Sequence, residues 1–312
     1  ALDDDGSPMW TVGKGHPDYV FLGDVDPARP GWEVFLGHEH RQKTGGNLLV
    51  DARTGKTIWG LAVPTNHVGI DGMCADIDPT SPGLESQAVD VNKEKKPGHC
   101  WLWSADGRIM RESDRSIGGA RSAYWDADLQ RELVRSIIVP FDGAPLPGRL
   151  PGTPIMIADL FGDWREEIVV SLRGELRIYS TTIPATDRRV CLMQDPLYRN
   201  GAALNSMGYP QVPMTSTCLA AVSPGLNLTA NRDQAGAASC RVVVSAPLDR
   251  PVTGTLSLRA NRGTLVPQTT EIKIKPGECQ AIQARLDGVA PGRERITLSA
   301  RLVGKGVQLT GE

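Results

Sequence analysis

Asp24 to Glu33 reads DVDPARPGWE, and Asp76 to Glu85 reads DIDPTSPGLE. These are one ten-residue pattern, D-x-D-P-x-x-P-G-x-E, recurring 52 positions later. A shortened copy, DADLQRE, runs from Asp126 to Glu132. A variant, DLFGDWREE, runs from Asp159 to Glu167 with its second carboxylate four places on, at Asp163. A short apolar stretch precedes each copy (YVFLG, GMCA, SAYW and PIMIA), and β-type runs follow three of them (VFLG, LVRSIIV and IVVSL). The repeating unit is therefore strand, acidic loop, strand.

Between the acidic loops a second feature recurs, a strand that enters a glycine turn and leaves as another strand. NLLVDARTGKTIWG (Asn47 to Gly60) and HCWLWSADGRIMRE (His99 to Glu112) both follow it, and LRGELRIYS (Leu172 to Ser180) is a shorter form. Such turns are the tight connections of β-hairpins. Four strands in every ~40–50 residues, repeated, read as propeller blades. About four blades fit between residues 13 and 200, so the expectation is part of a larger ring.

Composition sets the outer bounds. The 312 residues suffice for two domains, and 34 Gly with 23 Pro suit many short strands joined by turns. Helical periodicity is hard to find. The net charge of −2 offers no electrostatic case for nucleic acid, and no apolar run approaches the ~18 residues of a spanning helix. The six cysteines show no CxxC spacing, which argues against zinc; a disulfide between Cys240 and Cys279 stays open beside buried free thiols. The chain begins at Ala1 inside an acidic turn, which suggests a fragment or a processed product.

Two aspartates at positions one and three of a tight loop, with a glutamate arriving later, bring hard oxygens to one point. Their repulsion needs a counter-ion, and Ca²⁺ accepts six to eight such oxygens in flexible geometry. Asp24, Asp26, Glu33, Asp76, Asp78, Glu85, Asp126, Asp128, Asp159, Asp163 and Glu167 are thus candidate calcium ligands. The competing reading is that these acids cap turns or pair with Arg29, Arg131 and Arg165. A polar stretch, Thr65, Asn66 and His67, precedes Asp71 on a loop between blades. There His67 with an aspartate can act as base and orienter or hold a sugar hydroxyl, or it is a solvated loop residue. His38 and His40 alternate with Glu39 along a strand and form no metal site by themselves. Trp103, Trp125 and Trp164 read as packing residues.

After Thr217 the composition turns to that of a linker (VSPGLNLTANRDQAG), and then period-two alternation dominates: CRVVVSA, GTLSLRA, TEIKIKP, QAIQARL and RITLSARL. The expected organisation is all-β: a partial β-propeller over residues 1–220, then an immunoglobulin-like β-sandwich over 221–312. This second unit carries no catalytic grouping and no aromatic residue for stacking on sugars.

From Ala158 to Arg199 the chain reads ADLFGDWREEIVVSLRGELRIYSTTIPATDRRVCLMQDPLYR, which resembles the rhamnogalacturonan lyases of polysaccharide lyase family 11. GDVDPARPGWEVF, DARTGKTIWG, GMCADIDPTSPGLE and MGYPQVPMTS are similar to the same family, over about residues 13–218. The resemblance implies an eight-bladed propeller, Ca²⁺ as cofactor and β-elimination of the rhamnose–galacturonate backbone of pectin. It implies a secreted or periplasmic, monomeric protein acting on an acidic polysaccharide. It also implies that Tyr209 moves a proton, and that Ser206 and the Gly208 carbonyl lie at a calcium site, Ser206 standing where the family has Asn. Asp71 and Pro151 stand where the family has Arg and Lys, and Arg149, two residues from Pro151, is the candidate replacement. The alternatives are a non-catalytic calcium-binding scaffold for glycans and a glycoside hydrolase with two facing carboxylates.

Overall fold

The computed structural model describes residues 1–69, 71–91, 97–114, 119–185, 189–205, 211–219, 224–232, 237–247, 250–289, 296–305 and 307–311. Among the described residues, apart from one α-helix and a 3-10 turn, the regular elements are β-strands in six antiparallel sheets. No helix among the described residues is long and apolar enough to cross a membrane.

The repeat produces the first four sheets in chain order. The first is β1 (Pro17–Gly23), β2 (Glu33–His38), β3 (Asn47–Asp51) and β4 (Thr57–Gly60), and the second is β5 (Met73–Ala75), β6 (Glu85–Val91), β7 (Pro97–Trp103) and β8 (Ile109–Ser113). The third has β9 (Ser122–Ala123), β10 (Glu132–Val134) and β11 (Ile138–Val139). The fourth has β12 (Pro154–Ala158), β13 (Glu167–Leu172) and β14 (Glu175–Tyr179). Each is a simple meander, and in each the acidic loop joins the first strand to the second. The pairs Gly23↔Glu33, Ala75↔Glu85, Ala123↔Glu132 and Ala158↔Glu167 close the four hairpins in the same register.

Tryptophans tie one sheet's outer hairpin to what precedes it. Trp10 Nε1 donates to the Ala52 carbonyl at 3.1 Å, and Trp59 Nε1, from the first sheet, donates to Ala105 at 2.9 Å. Their rings lie over Gly55 and Gly107, both at positive φ, where a Cβ would fall 2.5 Å from the indole. Trp103 and Trp164 are buried, as expected of packing residues.

Successive acidic loops are also linked through backbone hydrogen bonds: Leu84 N to Val25 O, Arg131 N to Asp76 O, and Glu166 N to Tyr124 O. Residues 211–218 then meet three first strands. The Val20 N–H donates to Gln211 Oε1 beside β1, Met214 packs on Gly23, and Val212 and Pro213 lie beside Ser122 of β9 and Ile155–Ile157 of β12.

A helix, α1 (Pro196–Asn205), forms in a chain whose sequence shows little helical periodicity. Asp195 begins it, its Oδ1 accepting from the Leu197 N–H while its Oδ2 holds Ser216. One buried network fastens the helix to the sheets. Arg131 makes a two-pronged pair with Glu166 at 2.6 and 3.0 Å, Tyr198 of α1 donates to Glu166 at 2.5 Å, and Arg131 also donates to the Pro213 carbonyl.

The strands described between residues 225 and 311 form two further four-stranded sheets. One has the order β15 (Gly225–Arg232), β16 (Ala238–Ser245), β20 (Cys279–Asp287), β18 (Thr264–Val266). The other has β19 (Thr269–Ile274), β17 (Val252–Ala260), β21 (Leu298–Gly304), β22 (Val307–Gly311). Alternate residues of both, such as Val242, Val244, Ile282, Leu256, Ile272 and Leu302, share one apolar core. The stretch read as linker contains β15, whose alternation is diluted by Asn and Thr. All six cysteines are free. Cys240 pairs with Ala284 and Cys279 with Ser245, at opposite ends of the β16–β20 ladder, which rules out the disulfide left open by the sequence.

Removing Arg131 leaves Glu166 charged and buried. The Arg131→Met variant is expected to lose about 3–5 kcal/mol in urea unfolding. Arg131→Met/Glu166→Gln should lose less than the sum of the two single changes; strict additivity would mean that the pair is not coupled.

Candidate functional site

The acidic loops obey one hydrogen-bond rule. One oxygen of the closing glutamate turns back and accepts two consecutive backbone N–H groups. Glu33 Oε2 takes those of Val25 and Asp26, and Glu85 Oε2 those of Ile77 and Asp78. Glu132 Oε2 takes Trp125 and Asp126, and Glu167 Oε2 takes Leu160 and Phe161. All eight bonds measure 2.9–3.2 Å.

This rule corrects the alignment read from sequence. Asp126 occupies the place of Asp26 and Asp78, the second aspartate, and Tyr124 the place of the first. Asp128 is an additional carboxylate inside the shortened loop. In the fourth loop Asp159 keeps the first place and Phe161 takes the second.

The loops differ in how many oxygens remain for a cation. Asp159 is spent: its oxygens accept from Gly162, Asp163, Trp164 and Leu192 N–H groups, so it caps a turn and is withdrawn as a ligand. Asp163 lies 3.7 Å from Arg165, as the turn-capping reading allowed. Asp24 Oδ2 holds the Cys218 N–H, and Asp26 Oδ1 the Ala28 N–H. In the second loop Asp78 Oδ1 is taken by Thr80, but Asp76 Oδ2 and Glu85 Oε1 are buried without a hydrogen-bond partner. In the third, one oxygen each of Asp126, Asp128 and Glu132 lie within 4.8 Å of one another. Orphaned buried carboxylate oxygens in loop two and three clustered carboxylates in loop three, both all-oxygen donor sets, fit Ca²⁺. Glu132 was not among the ligands picked from sequence, because the shortened loop hid its equivalence to Glu33 and Glu85. Ser206, Gly208 and Tyr209 lie outside the described residues.

A different cluster stands at the opposite edge of the first two sheets, roughly 15–20 Å away by strand length. Asp18, at the head of β1, bridges two histidines: its Oδ2 lies 3.0 Å from His67 Nε2 and its Oδ1 3.7 Å from His16 Nδ1. His16 Nδ1 is also 3.1 Å from Glu39 Oε2, just past β2. Asp90 Oδ1 holds the loop in place by accepting the Asn66 and His67 N–H groups at 2.9 and 2.8 Å. Gly69 leaves the room: a Cβ there would lie 2.9 Å from the His67 ring and 3.4 Å from Asp18 Oδ2.

The aspartate that orients His67 is therefore Asp18 and not the sequence neighbour Asp71. Asp71 lies in the field of Arg121, a half-buried cation whose pKa is lowered by desolvation and raised by Asp71. Arg121 lines a small pocket with Ser122, Asn205 and Gln211, and no motif drew attention to it. Glu39 belongs to the cluster, whereas His38 is buried with its Nδ1 facing the Gly46 carbonyl, and His40 is exposed. The signal that could have found the cluster was His16-Pro-Asp18, two residues on one face of a strand start. Arg149 is exposed in the stretch leading into β12, the corresponding edge of its own sheet, and is not joined to these residues by a hydrogen bond or ion pair. His16, Asp18 and Glu39 offer one nitrogen and two carboxylates within 4.8 Å, a set suited to a divalent ion.

Against known proteins, the family model described as rhamnogalacturonan lyase family 11, C-terminal domain, matches residues 1–144 and 147–224. The chain is 38% identical over 241 residues to the rhamnogalacturonan endolyase YesW of Bacillus subtilis, covering 69% of this chain and 35% of that protein. It is 35% identical over 244 residues to the rhamnogalacturonan exolyase YesX of the same organism, covering 69% and 39%. The crystal structure of YesW superposes with a TM-score of 0.57 over 70% of this chain and 38% of that one. The chain thus spans little more than a third of the length of these relatives.

Burial raises the carboxyl pKa of Asp76, Glu85, Asp128 and Glu132 well above the ordinary range, and neighbouring carboxylates raise the last three further. An acid raised in the folded state binds more protons there than when unfolded, so without cation stability falls as pH climbs past the ordinary carboxylate range. In chelator the melting temperature should therefore drop between about pH 5 and pH 8. Glu132→Gln should flatten that drop and Ca²⁺ should reverse it. A cation-free profile that rises with pH would contradict this.

Proposed function

Because the chain belongs to rhamnogalacturonan lyase family 11, we propose that it is the closing part of a propeller lyase that cleaves a uronate-containing pectic backbone by β-elimination. The observation that carries the reading is the Asp18–His67 pair, held by Asp90 beside an open edge, in a chain similar to both an endolyase and an exolyase. The meeting of three first strands on residues 211–215 supports blades set around an axis. The two apolar sheets of residues 225–311 support an immunoglobulin-like sandwich as a separate domain. Action on a plant polymer would support a location outside the cytoplasm, secreted or periplasmic.

The reaction needs a base for the C5 proton, an acid for the departing O4, and positive charge near the uronate carboxylate. His67 is the base in this reading. Its Nε2–H donates to Asp18, which selects the tautomer with a free Nδ1 and stabilises the imidazolium once a proton has moved. Tyr209 would supply the proton for O4, and Arg149 or Arg121 the charge facing the substrate carboxylate.

Calcium in the second and third acidic loops, on Asp76, Glu85, Asp126, Asp128 and Glu132, would be structural, offsetting the repulsion of buried carboxylates. A divalent ion on His16, Asp18 and Glu39 would add positive charge for a uronate.

The second reading, a non-catalytic glycan-binding scaffold, draws on Asp71 and Pro151 standing where the family resemblance implies Arg and Lys. Incubation with rhamnogalacturonan separates the two: a lyase generates the ultraviolet absorbance of an unsaturated uronate, and a scaffold binds without turnover. In the lyase, His67→Gln is expected to lower kcat about 10²–10⁴-fold with KM little changed. Full activity in that variant would remove His67 from the mechanism.

A further inference from the structure

A cavity of about 30 Å³ lies where the second acidic loop meets the C-terminal pair of sheets. Asp76, Thr80 and Gln130 line it on one side and Ser245, Glu278 and Cys279 on the other. Asp76 Oδ2 and Gln130 Oε1 both lack a hydrogen-bond partner, although each residue is only 3% exposed. A buried, unpaired carboxylate oxygen is costly, and the cavity is roomy enough for an ion with a water. At this place the thiol of Cys279 donates to the Thr80 carbonyl at 3.6 Å, a weak contact for holding two folded units together.

We propose that a divalent cation of the calcium class occupies this cavity, held by Asp76 and Gln130 from one side and Glu278 from the other. It latches the C-terminal unit onto the acidic loop. The three donors are oxygens and the Cys279 thiol is turned to the Thr80 carbonyl, which disfavours zinc-like ions, and ligands drawn from separate chain segments suit the tolerant geometry of Ca²⁺ more than the strict octahedron of Mg²⁺. The inference rests on the reading that the acidic loops hold calcium, and adds that one such ion controls how the two units are arranged. The C-terminal unit, for which no carbohydrate-stacking residue is available, would then have its orientation set by calcium.

The test uses the whole chain, stripped with chelator and titrated with CaCl₂, with MgCl₂ in parallel. Calorimetry reads binding, and small-angle X-ray scattering reads the radius of gyration. Calcium is expected to compact the protein and magnesium is not. Glu278→Gln, a change on an exposed turn, should shift the compaction midpoint about tenfold upward in calcium, and Asp76→Asn should abolish it with the loss of one bound ion. Compaction by calcium that is unchanged in Glu278→Gln overturns the latch. Binding of calcium with no change in size overturns it too, while leaving calcium in the other loops intact. Absence of any calcium binding overturns both.

Discussion

A glutamate at the head of each second strand, folded back so that one oxygen grips two backbone N–H groups, is the interaction on which the first four sheets depend. Hydrogen bonds to a charged acceptor are worth about 1.5–3 kcal/mol each, more than most contacts in a short hairpin. The grip fixes where the loop ends and how the strands register, and it holds whether the loop has ten residues or seven. With the hairpin ends set alike, the residue before the glutamate donates to the preceding loop in the second, third and fourth sheets, and the sheets follow one another in a regular series.

That arrangement has an electrostatic cost. Gathering Asp126, Asp128 and Glu132 in one half-buried loop, or Asp76 beside Glu85, leaves anionic oxygens poorly solvated and pushes their pKa values up. In the proposed reading a hard cation would offset the cost where oxygens are free. In the fourth loop four backbone N–H groups on Asp159 do the same work instead. One repeat thus has two solutions to a single problem, and only counting the partners of each oxygen separates them.

The opposite edge carries a different set of groups. Among the described residues this cluster does not repeat: His16 and Asp18 come from the head of β1, Glu39 from just past β2, and His67 from the connection between two sheets. Loops at that edge can vary while the glutamate grips hold the frame, which is the arrangement the proposed site draws on. Asp90 and Gly69 serve this edge indirectly, one by holding the backbone of the His67 loop and the other by leaving space for the ring.

Repetition and alternation are local in the chain, so the amino-acid sequence alone carried the all-β class, the strand–acidic loop–strand unit, the glycine hairpins and the second set of alternating strands. The same locality explains what it withheld. The shift of Asp126 into the second aspartate's place, the retirement of Asp159 by four amides, and β15 within a stretch of linker composition all depend on which hydrogen bonds form. The helix α1 buries Tyr198, Ala202 and Asn205 on one face, and its hold on Glu166 through Tyr198 comes from tertiary packing. Above all, His67 lies 49 residues from Asp18 in sequence and 3.0 Å from it in space. A pairing that crosses from one sheet to the next is set by the packing of whole sheets, a long-range constraint that no spacing along the chain encodes.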